Sequence, residues 1–322
     1  MTQFTTQDLA LSLDMFSDRV LKPAVAAIAN KIDRDGLSMA TLQTANIVGT
    51  AGTPPTGLIT YLTAGAYLDA EGAPRDGRRS CIVEPFTSAT IVDSLKGLFV
   101  PQEAIGEQYR KGLMGRDSAG MNWKMDQNVV SQTFGSFAGT AVCSTTAATG
   151  FLTSGWASSS TISITSTGAV SLNAGDVITI DGVYAVNPQN RQAYGSNKLR
   201  NFVVTAISGN SVTVSPAVIS GGQFQNVSIT SPGASAVTPF NQAGAVSPQN
   251  IVMHRNAFTL ATADLELPDG VHFAGRASDK DLGLSMRIVR QYTINNDSIP
   301  TRIDVLYGWA PLYPELACRV AS

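Results

Sequence analysis

The sequence predicts an α+β fold in which an all-β module interrupts a body of helices and strands. Three observations predict it. Apolar residues recur at helical spacing near the start, charge nearly vanishes from the middle third, and two alternating runs near the end read as an antiparallel pair.

The opening helix is expected to start from a cap at Thr5 or Thr6, with Asp8 in its first turn where the helix dipole favours an anion. Leu9, Leu13, Phe16, Val20, Ala24, Ile28 and Ile32 then follow at spacings of three and four, which places them on one stripe. Pro23 lies inside that stripe and should kink it, and Gly36 should end it. Further helices are expected over Leu58–Ala70 and Pro85–Phe99, with a strand over Ser80–Val83 between them.

Charge marks the change of class. Of 22 basic and 24 acidic residues, only five (Asp176, Asp181, Arg191, Lys198 and Arg200) lie between Val129 and Asn250. Within that stretch Thr161–Thr165, Asp176–Ile180, Val183–Val186, Phe202–Ile207, Ser211–Ser215 and Val227–Thr230 read as short strands. Asp181-Gly182 and Gly209-Asn210 read as hairpin turns, and Asn187–Asn201 as a long projecting loop. His254–Ala263 reads as a helix or an extended segment. Leu284–Thr293 and Thr301–Tyr307 read as strands joined through Asn295–Ser298.

Several function classes lose support. Formal charge is −2, without the basic stripe of a nucleic-acid binder; Arg75, Arg78 and Arg79 are interrupted by Asp76. No apolar run approaches the ~20 residues of a membrane span, and the first residues lack a basic start and apolar stretch. Three scattered cysteines, Cys81, Cys143 and Cys318, do not make a disulfide framework.

Catalytic, metal and cofactor sites are all expected to be lacking. His254 and His272 have no metal-ligand spacing, and no nucleophile elbow, phosphate loop or dinucleotide fingerprint is present. Gly49–Pro55 is glycine-rich but lacks a phosphate-holding lysine. Asp33-Arg34-Asp35-Gly36 lacks the glutamate of a calcium loop, with Thr44 at that place, and reads as a helix end. Asp264 and Glu266 read as a solvated face. An enzyme is therefore not expected.

Four stretches carry a family likeness. They are Phe4–Asp14 with Phe16–Arg19 and Lys22–Val25, Val83–Phe86 to Lys96, Ala174–Val183, and Arg302–Trp309 with Pro314-Glu315. In that order they resemble the Hong Kong 97-type capsid fold in its P-twenty-two-like coat-protein branch, the major capsid proteins of tailed phages. The resemblance implies a spine helix with peripheral and axial domains over 1–150, an inserted β-barrel over 151–240, and the remaining axial and peripheral body with C-terminal strands over 241–322. It also implies an N-terminal arm and extended loop ahead of the spine helix; neither is found here, so the start reads as truncated.

The resemblance further implies a non-enzymatic coat protein without cofactors. It would self-assemble as hexamers and pentamers of an icosahedral shell, in the bacterial host's cytoplasm, and reside in the virion capsid. Scaffolding and portal proteins are the expected partners, contact with packaged double-stranded DNA would be nonspecific, and no membrane is involved. Arg191, Lys198 and Arg200, on the barrel loop, are the expected inter-subunit contacts. The alternative reading is a β-rich tail, fibre or carbohydrate-binding module.

Overall fold

A computed structural model describes residues 2–5, 22–94, 112, 114, 118–137, 140–144, 151–168, 170–194, 198–230, 234–240, 243–279 and 284–322. The described chain divides into two compact units. One comprises residues 1–36 and 259–310, the other 37–258 and 311–322.

The first unit is a sheet with the start of helix α1 (Lys22–Gln43). Its strands run in the order Thr2–Thr5, Ser298–Pro311, Leu284–Arg290, Phe273–Asp279, and Phe258–Ala263 also pairs with Ser298–Pro311. The expected terminal pair is present, with Met286 opposite Val305 and Arg290 opposite Thr301. Alternation over these residues specified the register because a slip by one would turn every side chain to the other face.

Residues 6–21, which carry most of the expected stripe, lie outside the described residues, and Pro23 falls in the first described turn. Gly36 does not end the helix, which continues to Gln43. The indole of Trp309 explains the glycine: a Cβ at residue 36 would stand 2.6 Å from Trp309 Cε2. Trp309 Nε1 donates to the Ile32 carbonyl at 2.9 Å, which holds the ring against the helix. Glycine costs an α-helix about 1 kcal/mol relative to alanine, and here it permits close packing. Asp35, expected at a helix end, is therefore mid-helix and accepts hydrogen bonds from Lys31 Nζ at 2.6 Å and Tyr307 Oη at 2.7 Å.

The second unit holds a mixed sheet in the order Ile47–Gly49, Ala317–Ala321, Val246–His254, Arg79–Val83, Asn122–Met125, and Ser131–Thr133 also pairs with Val246–His254. Helices α2 (Ile59–Ala70) and α3 (Pro85–Ser94) pack on it. Tyr61, Ala64 and Leu68 form the buried face of α2, and they meet Cys81, Ile91, Val252, Cys318 and Val320 in one core. Residues 95–99, expected to extend α3, lie outside the described residues. Sequence reading had no strand at Ala317–Ala321, yet every residue of it is buried.

Between Ser131–Thr133 and Val246–His254 the chain forms a closed six-stranded antiparallel barrel. Its strands follow the order Leu199–Ser208, Ser211–Ser215, Ser160–Ser166, Ala141–Ser144, Ala234–Pro239, Val177–Ala185, and the last returns to the first. Closure leaves the barrel no open sheet edge. Ile162, Ile164, Ile178, Ile180, Phe202, Val204, Val212 and Val214 fill the interior, each 0% exposed. The alternating burial of Ser160–Ser166 is what a half-buried strand requires. The barrel's strand Ala141–Ser144 precedes the expected start at 151.

The Gly209-Asn210 hairpin forms, with Ser208 opposite Ser211. The Asp181-Gly182 hairpin does not. Val177–Ala185 is one strand, bent where its register shifts between Thr179 and Tyr184, with Gly182 at φ +75°. Its two halves pair with different strands: Ile178–Ile180 with Val237–Pro239, and Val183–Ala185 with Val227–Ile229. A sequence typical of a tight turn here serves as a bulge, which bends a barrel strand in the same way.

Candidate functional site

The three cations expected on the barrel loop occupy three different environments. Arg191 is exposed, at φ +58°, in the short loop closed by the Val186–Ala193 bridge. Lys198 Nζ lies 3.3 Å from the centroid of the Tyr67 ring on α2, a cation–π contact. Arg200 belongs to the strand Leu199–Ser208 rather than to a loop, and its side chain is 5% exposed. Its Nη1 stands 2.5 Å from Glu71 Oε1, whose side chain is 11% exposed. Two of the three charges are thus engaged inside the chain, where they join the barrel to the end of α2. Tyr194 adds a third link by donating from its hydroxyl to the Ala70 carbonyl.

Burial raises the Glu71 carboxyl above its ordinary pKa despite the opposing pull of Arg200. A buried pair of this kind contributes little net stability, because desolvation offsets attraction, but leaving one partner alone is costly. The pair ties the barrel strand Leu199–Ser208 to the residue that follows α2.

A second junction lies at the barrel's stem. Asp176 is 1% exposed and accepts hydrogen bonds from the backbone N–H of Asn173 at 2.6 Å and Gly135 at 2.9 Å, and from Gln132 Nε2 at 3.3 Å. Burial raises its pKa against those bonds and the field of Arg319. Arg319, on the C-terminal strand, is fully buried and donates from Nη1 to the Gly175 carbonyl at 2.9 Å. Burial lowers its pKa to about 10. Gly175 sits at φ +93°, where a Cβ would come within 3.0 Å of Gln132 Oε1, so only glycine suits the approach.

Sequence reading missed Glu71 and Arg319. A signal existed for Arg319, the one charge within the otherwise apolar run Leu316–Ala321. Glu71 gave none, since an acid after a helix is ordinary.

The other singled-out residues have structural roles. His254 is 2% exposed with Nε2 3.2 Å from Asp76 Oδ1, and His272 is exposed. Asp264 pairs with Arg276 at 2.7 Å on the surface. Burial raises the thiols of Cys81, Cys143 and Cys318, that of Cys143 to about 11. Among the described residues there is no cluster of potential metal ligands, and no helix is long and apolar enough to cross a membrane.

The profile of the family described as "P22 coat protein - gene protein 5" matches residues 1–319. The chain belongs to the P22 coat protein family. It is a phage capsid protein, a structural component of the virion shell, and members of the family act as self-assembling oligomers. Among solved structures, the CUS-3 coat protein I-domain is similar at 23% identity, covering 34% of this chain and 100% of its own, with a TM-score of 0.26. No curated protein matches the sequence.

In this coat protein the two junctions have a plain mechanical meaning. Glu71–Arg200 and the Asp176–Gly175–Arg319 group hold the inserted barrel at two separate points of the sheet-and-helix core.

Proposed function

We propose that the chain is a major coat subunit of the Hong Kong 97 type, in which α1 is the spine helix, the strands paired with Ser298–Pro311 form the peripheral part, and the sheet around Val246–His254 forms the axial part. The observation that carries this reading is the family match over residues 1–319, together with a closed barrel spliced between two strands of one sheet. On this reading subunits assemble as hexamers and pentamers in the host cytoplasm, with scaffolding and portal proteins as partners and only nonspecific contact with packaged DNA. The chain works through surfaces rather than chemistry: no enzymatic step is assigned to it.

Within this proposal the exposed Arg191 loop contacts a neighbouring subunit, while Lys198 and Arg200 set the position from which it does so. Exposed ion pairs are worth ~0–1 kcal/mol each, so such a contact matters through repetition around the shell.

Co-expression with a cognate scaffolding protein, followed by sucrose-gradient sedimentation and negative staining, tests the reading. Closed shells or polyheads in the fast fractions are expected. Exclusively monomers, trimers or fibres would overturn it and favour a tail or fibre role.

A further inference from the structure

His254 ends the strand Val246–His254 and is almost excluded from water, yet both of its ring nitrogens are engaged. Nδ1 accepts a hydrogen bond from the backbone N–H of Asn256 at 3.3 Å, and Nε2 lies 3.2 Å from Asp76 Oδ1. An N–H aimed at Nδ1 leaves the ring proton on Nε2, so the neutral imidazole donates to the carboxylate.

The bond to Asn256 belongs to a turn that other backbone bonds depend on. Ala257 N–H closes the turn on the His254 carbonyl at 2.9 Å. The Ala257 carbonyl then accepts from the backbone N–H of Leu312 at 2.9 Å and of Tyr313 at 3.1 Å. The imidazole, the turn and the segment leading to the strand Ala317–Ala321 are thus linked by one run of hydrogen bonds.

Charged groups approach the ring from several sides. The loop before Arg79–Val83 brings Asp76, with Arg78 Nε 3.8 Å from its other oxygen. Arg79, opposite His254 in the ladder, is buried and pairs with Asp69 at 2.7 Å, which also holds Arg75. Arg255 is exposed, and the segment Pro311–Tyr313 brings only the exposed Tyr313 hydroxyl. Burial pulls the Asp76 carboxyl up, but hydrogen bonds from the Arg78 backbone and from His254 outweigh it and hold the group below its ordinary value. Asp76 therefore stays anionic over the range in which a histidine gains charge.

We propose that His254 is a proton-operated latch on the 254–257 turn. A second proton can enter the ring only at Nδ1, where it meets the Asn256 N–H. Two donors then face each other and that bond is lost, while the pair with Asp76 persists. In mild acid the turn opens more often, and the Leu312 and Tyr313 amides bonded to it open with it.

Two variants separate the parts. His254→Asn keeps an acceptor oxygen near the place of Nδ1 with nothing to protonate, whereas His254→Gln keeps a donor toward Asp76 and loses that acceptor. Hydrogen exchange of the full chain is measured at about pH 8 and about pH 5.5, on either side of the usual histidine range, each rate being divided by that of an unfolded chain at the same pH. Wild-type protection at Asn256, Leu312 and Tyr313 should fall several-fold on acidification. It should not fall in His254→Asn, and it should be low at both values in His254→Gln. Constant protection in the wild type, or an equal fall in His254→Asn, would overturn the proposal. Nitrogen NMR of the wild-type imidazoles tests it without any variant, with exposed His272 as the internal reference. His254 should carry its proton on Nε2 at the higher pH and on both nitrogens at the lower. A proton on Nδ1 at the higher pH, or a ring still neutral at the lower, would also overturn it.

Discussion

Arg200 of the barrel and Glu71 beyond the end of α2 form an ion pair at 2.5 Å, and both side chains are nearly excluded from water. Truncating either alone strands a buried charge, so Arg200→Met and Glu71→Leu should each lower stability by about 3–5 kcal/mol in urea unfolding. The double variant Arg200→Met, Glu71→Leu should recover most of that loss. Strictly additive losses would show that the pair is not coupled.

Asp69 accepts hydrogen bonds from Arg75 Nε at 3.0 Å and Arg79 Nη2 at 2.7 Å, and Arg75 is the main cause that holds its carboxyl down to about 2, from an ordinary 3.8. A depressed carboxylate stabilises the fold above its unfolded pKa and loses that contribution as pH falls toward the folded value. Asp69→Asn should therefore melt below wild type near neutral pH, with the difference shrinking between about 4 and 2. Thermal melts across that range check the sign.

Gly36→Ala reverses the usual rule. In an open helix it would stabilise by up to about 1 kcal/mol, but here the new methyl meets the Trp309 indole. A loss of about 1–3 kcal/mol is expected, with a change in tryptophan fluorescence as the ring is displaced. Enhanced stability would mean the indole moves aside freely.

Phe202, wholly buried at the centre of the barrel cluster, should cost about 3–5 kcal/mol when cut to alanine. Chemical denaturation followed by circular dichroism measures it.

The charge-poor stretch and its alternating runs disclosed an all-β module, though not its closure into a barrel, because burial of one face per strand leaves a period of two in the sequence. The terminal pair, read as Leu284–Thr293 and Thr301–Tyr307 and found as Leu284–Arg290 and Ser298–Pro311, was legible for the same reason. Asp181-Gly182 misled because a tight turn and a bulge ask the same of a residue, a positive φ at glycine, and only the partners of Val183–Ala185 tell them apart. Gly36 misled because its reason, Trp309, lies far away in the sequence. Charge placement was the least legible. Lys198 and Arg200 look like surface cations until the fold brings Tyr67 and Glu71 beneath them.

The central claim is that this coat protein tiles with copies of itself while its barrel stays clamped at two points. Single-particle cryo-electron microscopy of assembled particles tests it most directly. A closed shell of five- and six-membered rings is expected, in which each subunit carries a discrete barrel, with density joining Arg200 to Glu71 and Arg319 to Gly175. Particles without such rings, or barrels detached from either junction, would contradict it.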